Sequence, residues 1–387
     1  MTPAARTQAA IDLLDQIIAA AREGGAAADV LIQRYFGSRR YAGSKDRRAV
    51  RALVYDAIRL LGEPPASGRA ALLALAAERP DLVEAFDGTP YGPAPIADGE
   101  AVAVAGLAPM WLVRAFAASG LDEVELAALL TRAPVDLRIN RLVTSPDAVL
   151  ATFLTAEPLA FAPDALRLPA DTPVPDDARW EIQDAGSQRV AAAMGAQPGM
   201  TVLDLCAGGG GKTLALAATM ANQGRIVAAD VDRGRLSRLA PRAAKAGVTI
   251  AEPLLMNPGR EAETLGNLHA DAVLVDAPCS GTGTWRRNPE ARWRLTPARL
   301  ARYGETQARL LDLAAAHVRP GGAVVHVVCS LLDAEGADQV DAFLTRHPGW
   351  SAAPLALGAG RPRGQGVRLT PLHDTTDGFF VARLIAP

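Results

Sequence analysis

Through the first 130 positions, apolar residues recur every three or four places, the spacing of one buried helix face. Ile11, Leu14, Ile17, Ile18 and Ala21 predict a helix over 7–24, stopped by Gly24-Gly25. A second helix is expected over 28–36. Ser44 stands where it caps a third, whose apolar set is Val50, Leu53, Val54, Ala57, Ile58 and Leu61. Helical spacing continues over 67–78, 80–87, 110–118 and 122–131, broken by a Pro/Gly-rich loop at 88–99. Residues 1–130 therefore read as an all-helical domain, which Pro134 ends.

The next stretch is mixed. Leu137-Arg-Ile-Asn-Arg141 alternates like a short strand, and Ser145-Pro146 caps a helix to about Leu154. Residues 158–178 are rich in Pro and Asp and read as loop. Trp180–Asp184 leads into a helix at 187–195. Residues 131–185 are taken as a small α+β linker subdomain.

From 198 the pattern changes again, to short unbroken apolar runs alternating with helical segments. That alternation predicts a parallel α/β sheet. Strands are expected at Thr201–Cys206, Arg225–Ala229, 248–255, 271–276 and Ala323–Cys329, with a terminal strand to Leu384. Helices are expected at 212–222, 232–246 and 297–318, the last with Thr296 as cap and Pro297 in its first turn. Residues 186–387 form the third domain, with no internal repeats.

In open α/β sheets, ligands bind beyond the carboxyl ends of the strands. The run Ala272–Val275 delivers Asp276-Ala-Pro-Cys279 to that edge. The other two cysteines, Cys206 and Cys329, also follow apolar strands there. Free cysteine packs as a small hydrophobe, and its reactivity usually decides whether it is kept. Without a C-x-x-C spacing, and with five histidines in 387 residues, no metal site is expected.

The loop after Cys279 is small and polar, then basic and aromatic: Trp285, Arg286, Arg287, Arg292, Trp293 and Arg294. It reads as a surface for phosphates and stacked bases. A net charge of −2 gives no global attraction for nucleic acid, so any such surface is local. Arg34, Arg39, Arg40, Lys45, Arg47, Arg48 and Arg51 face only Asp46 within eighteen residues. The ordinary fate of a charge run is a solvated face; this imbalance favours phosphate contact. Three unclustered cysteines suit a reducing compartment. Asp12 and Asp15 in the first helix argue against a signal peptide, and the apolar run 101–113 is too short to span a bilayer. A cytoplasmic monomer is expected.

Glycines between a strand and a helix let backbone approach a ligand. In Asp204-Leu-Cys-Ala-Gly-Gly-Gly-Gly-Lys-Thr213, a Walker loop would need glycine at 206, where Cys206 stands. A dinucleotide fingerprint would need glycine or alanine at 213. An acid followed by Gly208 and Gly210, with Asp230 ending the next strand to take ribose hydroxyls, fits S-adenosylmethionine.

These segments carry a family resemblance. Asp204–Thr213, Asp276-Ala-Pro-Cys-Ser-Gly-Thr-Gly-Thr284, Arg286-Arg-Asn-Pro289, Cys329-Ser330 and Asp377-Gly-Phe-Phe380 resemble the RsmB-like (Sun-type) bacterial RNA cytosine-5 methyltransferases. Residues 1–130 are similar to that family's NusB-like RNA-binding domain. The resemblance implies a seven-stranded Rossmann-like class I methyltransferase sheet with an antiparallel last strand. It implies that Cys206, Ala207, Gly208, Gly209, Gly210, Gly211, Lys212, Asp230, Asn257 and Asp276 line the S-adenosylmethionine pocket. Asn257 stands where the family has Asp, and Gly208-Gly209 where it has Ala-Pro. His326-Val-Val328 replaces Tyr-Ser-Thr before Cys329, and Glu335-Gly-Ala337 replaces Glu-Asn-Glu after it.

The same resemblance implies Cys329 as nucleophile at carbon 6 of cytosine, Asp276 at ring nitrogen 3 and Cys279 in release. Arg39, Arg40, Arg47, Arg48, Arg286 and Arg287 are the candidate RNA contacts, and Arg286 or Arg287 the candidate cation beside the thiolate. Two other readings compete. One is a non-catalytic RNA-binding or ribosome-assembly factor retaining the fold. The other is a methyltransferase for protein or DNA. The thiol in Asp276-Ala-Pro-Cys279, where amino-group enzymes carry an aromatic residue, favours carbon methylation.

Overall fold

The computed structural model describes residues 1–170 and 172–387; residue 171, inside the 158–178 stretch read as loop, lies outside the described residues. The chain divides into two units. One is Met1–Thr131 with Trp285–Thr296; the other is Arg132–Thr284 with Pro297–Pro387. The stretch 131–185, taken from the sequence as its own subdomain, thus falls with the sheet, and 285–296 falls with the helices.

In the helical unit, Pro3–Glu23, Ala28–Gly37, Ser44–Leu60 and Gly68–Glu78 are helices, as the periodicity predicts. Thr2 caps the first, its side chain accepting from Ala5 N, and Gly24 ends it at φ 74°. The face Ile11, Leu14, Ile17 and Ile18 packs with Val50, Val54, Ile58 and Leu72 into one core. Each such buried aliphatic side chain contributes roughly 1.5–3 kcal/mol. Pro80–Ala85 is a 3₁₀ turn rather than an α-helix.

The segment 285–296 corrects the sequence reading of a basic and aromatic surface. Trp285 and Trp293 are buried, and Trp293 belongs to the helical core. Trp285 packs edge-on against Phe116, ring centroids 5.2 Å apart. Arg292 is fully buried and donates to the carbonyls of Ile58 (2.6 Å), Arg59 (3.1 Å) and Leu61 (2.8 Å). It caps the carboxyl end of Ser44–Leu60, where a cation meets the helix dipole. Burial pushes its pKa down to about 9.

In the second unit a four-stranded antiparallel sheet is ordered Glu157–Leu159, Ala162–Leu168, Val135–Ile139, Trp180–Ile182. Two of these strands fall in the stretch expected to be loop. Pro158, Pro163 and Asp164 hide the pattern, but Ala162, Ala165, Leu166 and Leu168 are buried.

The larger sheet has nine strands among the described residues. Five are parallel, in the order Ala251–Leu255, Arg225–Asp230, Thr201–Asp204, Ala270–Asp276, Val318–Val328. Phe379–Ile385 follows antiparallel to Val318–Val328, as expected, and pairs in turn with Gly366–Leu369. Two short strands, Arg361–Arg363 and Ser351–Ala353, extend the expected seven. Val202, Val273, Leu274, Val324 and Val325 are fully buried, as strands covered on both faces require. The helix expected over 232–246 is two pieces, Arg233–Leu236 and Leu239–Ala246. Among the described residues no helix is long and apolar enough to cross a membrane.

Candidate active site

Parallel pairing of Ala270–Asp276 with Val318–Val328 brings two distant cysteines together. Asp276 is in register with Val327, and Ala277 N donates to Val327 O at 3.0 Å. Pro278 then turns the chain, and the sulfurs of Cys279 and Cys329 meet at 3.3 Å. The loop beyond is held by close backbone approach. Gly283 N donates to Cys329 O (3.0 Å) and Gly378 N to Gly283 O (2.8 Å). A Cβ on Gly283 would lie 2.1 Å from Gly378 O, so only glycine fits there.

A polar brace underlies Cys279. Glu335, fully buried, accepts from Ser280 N (2.8 Å), from the Ser280 hydroxyl and from Gln307 Nε2 (3.2 Å). Gln307 Nε2 also donates to Pro278 O at 2.9 Å. His326 Nε2 donates to Glu335 O at 3.0 Å, and burial pulls the imidazole pKa down to about 4. His326 is therefore a neutral strut.

Lys212 sets a cation against the carboxylate at this strand end, its Nζ donating to Asp276 Oδ2 at 2.6 Å. Burial works against its ammonium, but the charge and hydrogen bond of Asp276 outweigh it, and the Cys329 charge adds to them, so the pKa is raised. Arg286 and Arg287 belong to the segment that falls with the helical unit, and Arg286 is buried there. Cys279 is pushed well up, first by its hydrogen bond with Cys329, then by burial and the Cys329 and Glu335 charges. Cys206 is also pushed up, by burial and then by Asp276, Asp204 and Asp230, which keeps it a thiol.

A cavity of 520 Å³ opens at the carboxyl edge, within the size range of small-molecule sites. Cys206, Asp230, Asp276, Cys279 and Cys329 line it. Asp230 Oδ2 accepts from Gly208 N at 2.7 Å, and its Oδ1 from Asp232 N at 2.7 Å. The glycine loop from Ala207 to Lys212 stands behind this wall rather than among the lining residues. Asn257 is exposed and also outside the lining; Met256 and Pro258 flank it on the cavity wall. The space a side chain would fill at Gly208 holds the Arg235 guanidinium, 2.5 Å from an ideal Cβ. Asp204 is buried with Thr213 Oγ1 donating at 2.7 Å, its Oδ1 is unpartnered, and burial raises its pKa to about 7.

On the helical unit the basic run is exposed at Arg34, Arg40, Lys45, Arg47, Arg48 and Arg51. Its one acid, Asp46, is held by Arg6 at 2.8 Å. Arg39 lies over the Tyr35 ring at 3.6 Å and Arg51 over Tyr55 at 5.0 Å.

Four features were missed in the sequence: the Lys212–Asp276 pair, the Glu335 brace, and the cavity residues Arg235 and Arg309. The signals available were Lys212, standing among only three lysines, and Glu335, the sole acid retained from the family's Glu-Asn-Glu.

The strand order, the antiparallel Phe379–Ile385 and the acids at the strand ends define a class I methyltransferase. The family model of the 16S rRNA methyltransferase RsmB/F matches residues 191–385, and the chain belongs to that family. It is 38% identical over 299 residues to a probable ribosomal RNA small subunit methyltransferase B of Synechocystis sp.. It is 34% identical over 291 residues to ribosomal RNA small subunit methyltransferase B of Citrobacter koseri. These alignments cover 71% and 72% of this chain and 66% of each relative's length. In fold it is similar to the crystal structure of PH0851 (TM-score 0.76, 23% identity, 99% of both chains). It is also similar to that of NSun6 from Pyrococcus horikoshii with SFG (TM-score 0.65, 17% identity, 72% of this chain and 98% of the other).

Proposed function

We propose that the chain methylates carbon 5 of a cytosine in structured RNA, in small-subunit ribosomal RNA, through a covalent adduct between Cys329 and carbon 6. The observation that carries this reading is the 3.3 Å approach of Cys279 and Cys329 beside the Lys212–Asp276 pair.

The residues present fit S-adenosylmethionine. Asp230, at the end of its strand, would take the ribose hydroxyls, and Met256 and Pro258 offer apolar walls for the adenine. When bound, the cofactor supplies an electrophilic methyl group.

Carbon 5 of cytosine is a weak nucleophile. The Cys329 thiolate adds to carbon 6, and the electron pair of the 5,6 double bond moves towards nitrogen 3 and carbon 5. Asp276 steadies the ring at nitrogen 3, and the Lys212 ammonium favours the thiolate. After transfer, the carbon-5 proton leaves, its bonding pair re-forms the double bond, and the carbon–sulfur bond breaks back to the Cys329 thiolate. Cys279 is the base for that proton. Before addition it is held as a thiol by its hydrogen bond with Cys329 and by the neighbouring charge. Bonding of Cys329 to carbon 6 removes its hydrogen bond and its charge from Cys279, leaving burial and the Glu335 charge; Cys279 then passes its own proton to solvent and takes the carbon-5 proton as a thiolate. The target base must be unstacked to reach the thiol. The basic run of the helical unit supplies backbone phosphate contacts.

The experiment is methyl transfer from labelled S-adenosylmethionine to small-subunit ribosomal RNA, with 5-methylcytosine mapped in cells with and without the gene. Cofactor binding without any methyl in RNA would favour the non-catalytic assembly factor, the reading motivated by Val327 and Val328 in place of polar residues before Cys329.

A further inference from the structure

The helical unit holds a second cavity, of 780 Å³, that this chemistry does not use. Three of the five tyrosines in the chain line it: Tyr35, Tyr41 and Tyr91, together with Arg39 and Asp12. Tyr41 is 72% and Tyr91 80% exposed, and among the described residues they are the only aromatic rings left so open to water. An exposed ring forgoes the burial that makes aromatic residues useful in a core, and rings held open beside a cavity suit a flat partner.

The turn carrying Tyr91 is fixed. Gly88 N donates to Pro93 O and Gly92 N to Thr89 O, both at 3.0 Å, and Thr89 Oγ1 donates to Asp87 Oδ1 at 2.8 Å. A Cβ on Gly92 would sit 2.8 Å from Ala4 Cβ, so the turn closes directly on the first helix. Tyr35 is fixed as well: its hydroxyl donates to Asp12 Oδ2 at 3.2 Å, and Arg39 covers its ring. Tyr41 follows Arg39-Arg40 directly, so the basic run begins at the cavity rim.

Open rings, one of them on a fixed turn, beside a run of basic side chains make the combination that single-stranded nucleic acid recognises. We infer that this cavity takes one unstacked base of single-stranded RNA, stacked on Tyr41 and Tyr91, while its flanking phosphates lie on the arginines. The inference rests on reading the helical unit as RNA-binding, and it adds a subsite that charge alone does not describe.

The test uses the full chain and an unstructured RNA oligonucleotide carrying 2-aminopurine, with affinity followed by anisotropy and stacking by quenching. Tyr91→Ala and Tyr41→Ala each weaken binding by about 5-fold or more and relieve the quenching, with the salt slope unchanged because no charge is lost. Tyr91→Phe retains the wild-type affinity. Both rings lie outside the core, so truncation leaves the fold intact. Wild-type affinity in both alanine variants overturns the inference and leaves the RNA-binding reading standing. Equal losses in Tyr91→Phe and Tyr91→Ala overturn the stacking account. Absence of RNA binding by the wild-type chain overturns both.

Discussion

Lys212 Nζ lies 2.6 Å from Asp276 Oδ2, joining the glycine loop to the strand end that leads to Cys279, whose sulfur meets that of Cys329. Burial works against the Lys212 ammonium, but the charge and hydrogen bond of Asp276 outweigh it and the Cys329 charge adds to them, so the lysine stays charged. Loss of one partner therefore disturbs both the thiolate and the carboxylate.

Lys212→Met tests that arrangement, because it keeps the length and removes the charge. Adduct formation with target RNA near neutral pH should fall by ~10²-fold, the usual size of one lost electrostatic contact at a reacting centre. Raising the pH should restore part of the rate, since hydroxide then replaces what the cation did for the thiolate. The measurement is the single-turnover rate of adduct formation across pH. A loss of the same factor at every pH would show that Lys212 only holds Asp276 in place.

Asp204 gives a pH dependence of stability. Burial raises its pKa from 3.8 to about 7 in the folded chain. A raised folded value means the folded state binds the proton more tightly. The associated stability is full below about pH 4 and is lost as pH rises through about 7. Asp204→Asn keeps an acceptor for Thr213 and removes the charge. It should be more stable than wild type at pH 8, by ~1–3 kcal/mol, with the gap closing towards pH 5. Urea unfolding at both pH values decides it. A gap that does not change with pH would refute the buried-carboxylate account.

The parts legible in the sequence are those set by local pattern. Continuous apolar runs place Asp276, Cys279 and Cys329 at one sheet edge, and helical spacing gives the first four helices. The parts not legible depend on partners far along the chain. Trp285, Arg292 and Trp293 have the composition of a nucleic-acid surface, yet two rings fill apolar space and the guanidinium caps a helix more than 200 residues earlier. Nothing local distinguishes a capping arginine from a phosphate-binding one. Likewise Glu335 reads as an ordinary acid before a helix; its brace role appears only when Ser280 and Gln307 fold against it. The strands from 157 to 168 were hidden because Pro158 and Pro163 interrupt their alternation.

The basic run supports a separate prediction. Replacing Arg39, Arg40, Arg47 and Arg48 with Gln removes four positive charges from the run, two of which also lie over the Tyr35 and Phe36 rings. RNA affinity should fall, and the slope of log affinity against log salt should flatten by roughly 0.7 per lost contact on single strands, up to about 3 in all. Titrations at several salt concentrations measure this. An unchanged slope would return the run to an ordinary solvated face.

The two cysteines should fail in different ways. Their sulfurs are 3.3 Å apart, so either could in principle reach the same base, and geometry alone does not divide the labour. The electrostatics does. Cys279 is pushed well up by its hydrogen bond with Cys329, by burial and by the Cys329 and Glu335 charges, which suits a group that stays protonated until Cys329 is spent. The Cys329 charge in turn is among the causes that raise the Lys212 pKa. Cys329→Ala should then lose turnover and form no adduct, because no bond to carbon 6 can form. Cys279→Ala should still attack and accept methyl, stall before elimination, and accumulate a protein–RNA species. Denaturing electrophoresis after incubation with RNA and S-adenosylmethionine separates the cases. A trapped band from Cys329→Ala alone would reverse the roles. Full activity in both variants would make the thiols structural, and their meeting at the sheet edge would be packing.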